Sequence, residues 1–373
     1  MIKRTYSLDK IIKKGKVLII YGPRQVGKTT LIKEFIKNSK LTYRYDTGDG
    51  FQIQNELSKC TYESTDNHVG NYDLIIIDEA QKIPNIGNAL KLMVDSHPNK
   101  YFIATGSSSF DLANKTDESL TGRKIVIKLF PISYFELSKT MAVSEMKNSL
   151  EKNLIYGSYP ELLMAKTNQE KEQIIRLLSD SYLIKDILEF DRIKRADVIM
   201  KLLKLLAFQI GSEVSANELG RSLGVDTKTI LYYLDLLEKS FVIFGLSGYS
   251  GNLRKEITKM SKYYFYDNGI RNALILNFNR LEDRNDIGQL WENFLMIERR
   301  KRNEYKNAFP AYYFWRTYSK QEIDLIEEKQ GFLSAYEFKW KAQKSSSPSE
   351  WRANYKNSKY LEINADNYIN FIT

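Results

Sequence analysis

The sequence of 373 residues predicts an α/β protein that opens with a parallel sheet and ends in a second, smaller α/β unit. Three short apolar runs, at 17–21, 72–78 and 100–105, are separated by segments whose apolar residues have helical spacing. Apolar strands that alternate with helices are typical of a buried parallel sheet. Helical patterns dominate after residue 130, and strand patterns return after residue 240.

The composition is that of a folded protein and excludes several classes of function. No apolar stretch approaches the roughly 18 residues that span a bilayer, and no apolar signal core follows Met1, so we expect a cytoplasmic protein without membrane contact. One cysteine, Cys60, and two histidines, His68 and His97, are too few for a disulfide or a structural zinc site. Both histidines lie in polar stretches and are predicted to be ordinary surface residues of loops. The net charge of +10 is compatible with a polyanionic partner.

The clearest motif follows the first predicted strand. Residues 22–29 match the phosphate-loop pattern Gly-x4-Gly-Lys-Ser/Thr in full, between a strand and a helix. The glycines permit a loop whose backbone N–H groups cradle phosphates, Lys28 would reach the β and γ phosphates, and Thr29 would ligate Mg²⁺. The predicted nucleotide-binding residues are Gly22, Pro23, Arg24, Gln25, Val26, Gly27, Lys28, Thr29 and Thr30.

Two acidic residues end the second predicted strand. Asp78 would hold Mg²⁺ through its hydration shell, and Glu79 could polarise an attacking water. Such a pair could also be a solvated strand end or a helix cap. Together with the phosphate loop, the pair predicts a P-loop NTPase sheet with helices on both faces, and it favours hydrolysis over binding alone.

This part of the chain resembles the AAA-type P-loop ATPases, and Ala104-Thr-Gly-Ser-Ser-Ser109 resembles the polar sensor strand end of that family. The resemblance implies ATP as the nucleotide and implies that Thr105 or Ser107 reports on the γ-phosphate. It also makes Arg123 a candidate for neutralising transition-state charge, in cis or from a neighbouring subunit of a homo-oligomer. Arg123 could equally be an ordinary exposed or ion-paired arginine.

The resemblance extends along nearly the whole chain, to a prokaryotic ATPase family in which this module is fused to an uncharacterised C-terminal domain. The blocks that carry it are Phe130-Pro-Ile-Ser-Tyr-Phe-Glu136, Gly157-Ser-Tyr-Pro-Glu161, Tyr182-Leu-Ile-Lys-Asp186 and Lys262-Tyr-Tyr-Phe-Tyr-Asp267. We divide the chain into an ATPase domain (1–138), a helical region (139–194), a winged helix domain (195–279) and a nuclease-like domain (280–373).

The predicted winged helix comes from the order of its elements: a helix, a short helix at 216–223, a turn, a helix at 227–239 and two strands. On the second helix we expect a core stripe of Ile230, Leu231, Leu234 and Leu237, with Lys228, Thr229, Tyr232 and Tyr233 facing outward. On a DNA-binding domain these outward residues would enter the major groove, with Arg221, Arg254 and Lys255 near phosphates. A single lysine is sparse for DNA, and such domains also pack on an ATPase or a protein partner, so both interpretations stay open.

The C-terminal segment places Glu292, Asp324 and Glu337-Phe-Lys339 at a spacing that resembles the PD-(D/E)xK nucleases. By that resemblance the three acids bind Mg²⁺ and Lys339 helps to position the attacking water. Three carboxylates beside one lysine would be costly unless a metal and substrate phosphates balance them, although Glu-x-Lys also occurs on solvated strand faces. Two functions follow: an ATP-hydrolysing enzyme that acts on DNA, or an ATP-gated switch that binds protein or nucleic acid and cuts nothing.

Overall fold

The computed structural model describes residues 2–107, 120–180, 195–250, 260–317, 319–342 and 346–373. The chain divides into two compact units, the first comprising Met1–Pro131 with Lys239–Phe241 and the second Ile132–Glu238 with Val242–Thr373. The finer division into four domains stays a prediction. The block at 182–186 and the predicted phosphate contacts Arg254 and Lys255 lie outside the described residues.

The first unit is built on a parallel sheet with the strand order β2-β3-β4-β1-β5. Its strands are β1 (Val17–Tyr21), β2 (Tyr43–Thr47), β3 (Leu74–Asp78), β4 (Tyr101–Gly106) and β5 (Lys124–Lys128). Every residue of β1 and β3 is buried, which explains their uninterrupted apolar sequences. The sheet confirms the predicted α/β class. The edge strand β2 was not predicted from the sequence, because its residues are mostly polar and partly exposed.

Helices flank this sheet: α1 (Leu8–Ile11), α2 (Lys28–Asn38), α3 (Phe51–Leu57), α4 (Tyr62–Val69) and α5 (Ile86–Ser96), with a short 3-10 helix at Ala80–Lys82. The prediction of His68 as a surface loop residue is wrong. His68 lies in α4 with no exposed side-chain surface, and its ring nitrogens are each 3.5 Å from a carboxylate oxygen, of Asp46 and of Glu56. A capping box between Thr61 and Ser64 starts α4, and so turns a polar stretch into a helix.

The remaining helices of the described chain are α6 (Tyr134–Leu137), α7 (Val143–Tyr156), α8 (Pro160–Met164), α9 (Asn168–Leu178), α10 (Ala196–Phe208), α11 (Ala216–Leu223), α12 (Thr227–Lys239), α13 (Asn268–Leu274), α14 (Ile287–Tyr305), α15 (Ser349–Asn354) and α16 (Tyr368–Ile372). A second 3-10 helix spans Leu281–Asp283. Helix α14 is a core helix of the second unit, with Trp291 and Leu295 fully buried. Among the described residues no helix is long and apolar enough to cross a membrane.

The second unit contains a mixed sheet with the order β12-β11-β10-β9-β7-β8-β6. Its strands are β6 (Glu213–Val214), β7 (Ile243–Gly248), β8 (Ser261–Phe265), β9 (Ala311–Arg316), β10 (Glu322–Lys329), β11 (Phe332–Phe338) and β12 (Lys359–Ile363). Strands β7 and β9 pair in parallel, with Ser247 opposite Tyr313 and Gly248 opposite Phe314. The strands expected to form a wing therefore share one sheet with the C-terminal strands, whereas the winged-helix assignment itself stays a prediction.

The core stripe of α12 differs from the prediction at two positions. Leu231 is 53% exposed, while Tyr233, expected to face outward, is 7% exposed. Ile230, Tyr233, Leu234 and Leu237 have the spacing of three, four and seven residues that defines one helix face. Leu231 lies one residue further round the helix, so its apolar side chain faces solvent.

Candidate nucleotide site and C-terminal carboxylate cluster

The phosphate loop occupies residues 22–27, between the end of β1 and the start of α2. Gly22 has a φ of 152°, and a Cβ there would lie 1.9 Å from the carbonyl oxygen of Leu129. Gly27 has a φ of 94° and occupies the N-cap of α2. Both glycines are therefore required by the backbone, and the loop leads directly into the N–H groups at the start of α2, where Thr30 lies in the first turn.

Lys28 points back into the loop. Its side chain is buried, and Nζ donates to the carbonyl oxygens of Gly22 at 2.8 Å and Pro23 at 3.0 Å. Arg4, which the sequence analysis missed, supports the same loop, because its guanidinium donates to the carbonyl oxygens of Val26 at 3.2 Å and Phe130 at 2.7 Å. The ammonium of Lys28 is thus held inside the loop whose backbone N–H groups a bound phosphate would contact.

Asp78 is the hub of the site. Its Oδ2 accepts hydrogen bonds from Thr29 Oγ1 at 2.7 Å and from the hydroxyl of Tyr45 at 2.6 Å, and its Oδ1 accepts one from Thr105. Burial, and then the neighbouring Asp78, raise the pKa of Tyr45, so this hydroxyl stays a donor. The structure therefore brings together Thr29, Asp78 and Thr105 as predicted, and adds Tyr45 from β2.

Glu79 has a left-handed backbone, with a φ of 49°. Its N–H donates to Thr105 Oγ1 at 3.0 Å, and its carboxylate accepts from Gln81 Nε2 at 2.6 Å. The same Gln81 nitrogen lies 3.0 Å from Ser107 Oγ. Gln81 was missed because nothing in the sequence shows the backbone turn that brings it back over Glu79.

The hydroxyl of Thr29 and the carboxylate of Asp78 are oxygen ligands of the kind that Mg²⁺ takes, so this pair fits the ion. No group of three or more His, Cys, Asp or Glu side chains that could hold a metal ion occurs in the described part of the chain. A magnesium ion here would accordingly depend on nucleotide phosphates and water for its other ligands.

Arg123 lies far from the phosphate loop of its own chain. Its carbonyl accepts from Val17 N–H at the amino end of β1, whereas the loop follows the carboxyl end of that strand, about 13 Å away. Its Nε donates to Asp95 at 2.5 Å. A role in cis is thus not supported by this geometry, and a role in hydrolysis would need a neighbouring subunit.

The C-terminal residues singled out by their spacing lie close enough for their charges to interact, and we call Glu292, Asp324, Glu337 and Lys339 the carboxylate cluster. Its three acids do not form a group that could hold a metal ion, so the predicted Mg²⁺ site is not found in this part of the described chain. Lys339 Nζ is 2.6 Å from Glu337 Oε1, and Asp324 accepts from the N–H of Phe338 at 2.8 Å. Burial, followed by the charges of Glu292 and Glu337, raises the pKa of Asp324 well above its usual range.

The structure adds a second lysine to this cluster. Lys262, on β8, is 3% exposed, pairs with Glu322 and lies 3.8 Å from Glu292 Oε1. Burial acts to lower the pKa of Lys262, but the carboxylates of Glu292, Glu322 and Asp324 outweigh it and raise that pKa. Lys262 was missed because β8 reaches the cluster only through sheet pairing. Lys262 offsets part of the negative charge, since four carboxylates, counting Glu322, now lie beside two lysines.

Comparison with known proteins divides the chain into three matched regions. Residues 14–138 match the AAA domain family, while residues 147–282 and 287–369 match two families described as domains of unknown function (DUF8612 and DUF4143). The first match agrees with the phosphate loop and the parallel sheet. Together they support an AAA-type P-loop ATPase.

Two of the similar proteins are uncharacterized. One, from Mycobacterium tuberculosis, is 28% identical over 351 residues, covering 92% of this chain and 73% of its own. Another, from Haemophilus influenzae, is 28% identical over 320 residues, covering 76% of this chain and 77% of its own. Among solved structures, a Walker-type ATPase of Pyrococcus abyssi aligns with 69% of this chain and 91% of its own, at 16% identity and a TM-score of 0.45.

Proposed function

We propose that the chain binds Mg-ATP at residues 22–30 and hydrolyses it. The observation that carries this proposal is the 2.7 Å hydrogen bond between Thr29 and Asp78, which joins the phosphate loop to the acidic end of β3. Glu79 follows Asp78 directly, so a carboxylate able to accept a proton lies beside the phosphate site. The match of residues 14–138 to the AAA domain family supports the same function.

Each residue has a definite part in the proposed reaction. Lys28 exchanges its loop carbonyls for phosphate oxygens of ATP, and the N-terminus of α2 favours their negative charge. Thr29 and Asp78 would hold Mg²⁺, which when bound neutralises charge on the phosphate oxygens. The oxygen of a water attacks the γ phosphorus while Glu79 accepts a proton from that water. The bond from the γ phosphorus to the bridging oxygen breaks, and ADP and inorganic phosphate leave.

The test is ATP turnover and nucleotide affinity of wild type and variants. Lys28→Ala should weaken ATP binding and abolish turnover, and Glu79→Gln should keep binding but lower turnover by about a hundredfold or more. Lys33→Ala is the matched control, since Lys33 is an exposed lysine of the same helix. Turnover that survives in both site variants would overturn the proposal.

We further propose that nucleotide state is coupled to DNA binding or processing in the second unit. This candidate is favoured by the interacting charges of Glu292, Asp324 and Glu337 and by Glu337 Oε2, which is buried and has no hydrogen-bond partner among the described residues. The experiment is cleavage of single-stranded, duplex and branched DNA with Mg²⁺ or Mn²⁺, with and without ATP. Cutting that disappears in Lys339→Ala would support the nuclease, and the variant also controls for contaminating enzymes.

The alternative is an ATP-gated switch that binds protein or nucleic acid without cutting it. The ion pairs of Lys262 favour this reading, because they tie two of the acids into a structural network, and the acids do not form a group that could hold a metal ion in the described chain. The exposed Leu231 and Tyr232 on α12 suit a protein surface as well as a groove of DNA. Intact ATP hydrolysis with no DNA cleavage under any condition would support the switch.

A further inference from the structure

We propose that Gln81 is a positioning residue for hydrolysis, which fixes the carboxylate of Glu79 and ties it to Ser107 at the end of β4. This inference rests on the proposed ATPase function and deepens it. Gln81 belongs neither to the phosphate loop nor to the acidic pair, and it lies in the 3-10 helix Ala80–Lys82. Its assignment comes from its contacts alone.

The first step is the pair of hydrogen bonds that the amide donates. Gln81 Nε2 donates to Glu79 Oε2 at 2.6 Å and to Ser107 Oγ at 3.0 Å, so both hydrogens of the amide group are used. The Gln81 side chain is only 7% exposed, which shields these bonds from competing water. The carboxylate is therefore held by a buried donor that cannot easily reorient.

The second step is that both the backbone and the side chain of Glu79 are linked to residues at the carboxyl end of β4. Its backbone N–H donates to Thr105 Oγ1 at 3.0 Å, and its carboxylate reaches Ser107 through Gln81. Thr105 or Ser107 is the residue expected to report on the γ-phosphate. A shift of that strand end would thus move the carboxylate that receives the proton from water.

The backbone explains why two residues so close in sequence can hold each other. Glu79 adopts a φ of 49° and caps the 3-10 helix, which folds Gln81 back toward it. Gly48 packs against this turn so closely that a Cβ there would lie 2.3 Å from the Glu79 carbonyl oxygen. Gly48 therefore keeps this turn in place, and with it the hydrogen bond between Gln81 and Glu79.

The third step concerns the remaining polar atom of the amide. Gln81 Oε1 is buried and has no hydrogen-bond partner among the described residues. An unsatisfied buried acceptor is costly, and a bound donor would relieve that cost. Gln81 therefore keeps its orientation through the two hydrogen bonds that Nε2 donates, although they leave Oε1 unsatisfied.

The experiment separates kcat from affinity. Gln81→Ala should lower kcat for ATP by about tenfold or more, while the Kd for a non-hydrolysable ATP analogue stays within about twofold of wild type. Gln81→Glu, which keeps the size but removes the donor and adds a like charge beside Glu79, should lower kcat at least as far. In a Glu79→Gln background, measured by single turnover, Gln81→Ala should cost nothing further, because its target is gone.

The matched control is Asn153→Ala, which removes a buried amide of the second unit that donates to the Tyr134 hydroxyl at 2.9 Å. It should leave kcat unchanged at a similar cost in thermal stability. If Gln81→Ala keeps wild-type kcat, or weakens analogue binding and stability in proportion to kcat, the positioning role is wrong. No ATP turnover in wild type would instead overturn the proposed function, and this inference with it.

Discussion

At the scale of single residues, the proposed site works because each reactive side chain is held by a neighbour from a different element. Asp78 on β3 accepts from α2, β2 and β4 through Thr29, Tyr45 and Thr105. Hydrogen bonds to a charged carboxylate are stronger than those between neutral groups. The carboxylate is thereby fixed before any ligand binds.

Tyr45 offers a test of that arrangement outside the sequence motifs. Tyr45→Phe removes one of the donors to Asp78, so we expect turnover to fall several-fold and the free energy of unfolding to fall by about 1 kcal/mol. ATP turnover and thermal denaturation measure the two effects. Tyr43→Phe, an exposed residue of the same strand, is the control. Equal behaviour of the two variants would show that Tyr45 does not support Asp78.

His68 gives the first unit a pH-dependent stability. Burial, and then the charge of Arg44, lower the pKa of His68 below its usual 6.5, against the opposing pull of Glu56 and Asp46. The unfolded chain therefore binds a proton more readily than the folded one, so stability present above pH 6.5 is lost as the pH falls toward the lowered pKa.

Thermal denaturation of wild type and His68→Gln between pH 7.5 and 5.5 checks this sign. The melting temperature of wild type should fall more steeply than that of His68→Gln. A steeper fall in the His68→Gln variant would contradict the lowered pKa.

At the scale of elements, two of the sequence blocks are explained by a contact between them. The carboxylate of Asp267, which caps α13, also accepts from the N–H of Ser158 at 2.8 Å. Gly157 packs against it, since a Cβ at that position would lie 1.9 Å from Asp267 Oδ1. The link between α7 and α8 is therefore fastened to the strand that precedes α13.

Gly157→Ala should disrupt the contact of Asp267 with Gly157 and Ser158. The added Cβ clashes with Asp267, and Gly157 also has a φ of 82°, so we expect a loss of about 3 kcal/mol in the free energy of unfolding. Urea denaturation measures it. Gly288→Ala is the control, because no atom lies within 4 Å of the added Cβ and α14 should tolerate it. A Gly157→Ala protein as stable as wild type would refute the account of this contact.

Lys262 joins β8 to the carboxylate cluster through buried ion pairs. Lys262→Met leaves Glu292 and Glu322 without their buried cation, and removing one partner of a buried pair costs about 3 kcal/mol. Lys329→Met, an exposed lysine at the end of β10, should be nearly neutral. Urea denaturation at neutral pH compares the two, and equal stabilities would show that the ion pairs of Lys262 do not stabilise the second unit.

At the scale of the whole molecule, the features that could be predicted are those that depend on residues close together in the sequence. The apolar strands β1 and β3, the phosphate loop and the acidic pair are each encoded within a few neighbouring residues. The acids of the carboxylate cluster were singled out by a spacing that resembles that of the PD-(D/E)xK nucleases. By contrast, the pairing of β7 with β9, and with it the position of Lys262, depends on residues more than fifty positions apart. Tyr45 was hidden by a half-exposed strand whose sequence lacks an apolar pattern.

The position of Arg123 leads to a prediction about a homo-oligomer. Its distance from the loop of its own chain leaves a neighbouring copy as the place where it could act. If it does, Arg123→Ala and Lys28→Ala proteins, each inactive, should regain part of the ATP turnover when mixed. Turnover per molecule should also rise with protein concentration. Full turnover of Arg123→Ala alone would remove this residue from the mechanism.

The central claim is that residues 22–30 bind ATP and that Glu79 drives its hydrolysis. The most direct measurement is a single-turnover assay that follows the fate of bound, labelled ATP on wild type and on Glu79→Gln, with Lys28→Ala as the non-binding reference. The account predicts ADP and phosphate on wild type, ATP that stays bound and intact on Glu79→Gln, and no retained nucleotide on Lys28→Ala. Hydrolysis at the wild-type rate by Glu79→Gln, or retained ATP that wild type does not cleave, would contradict it.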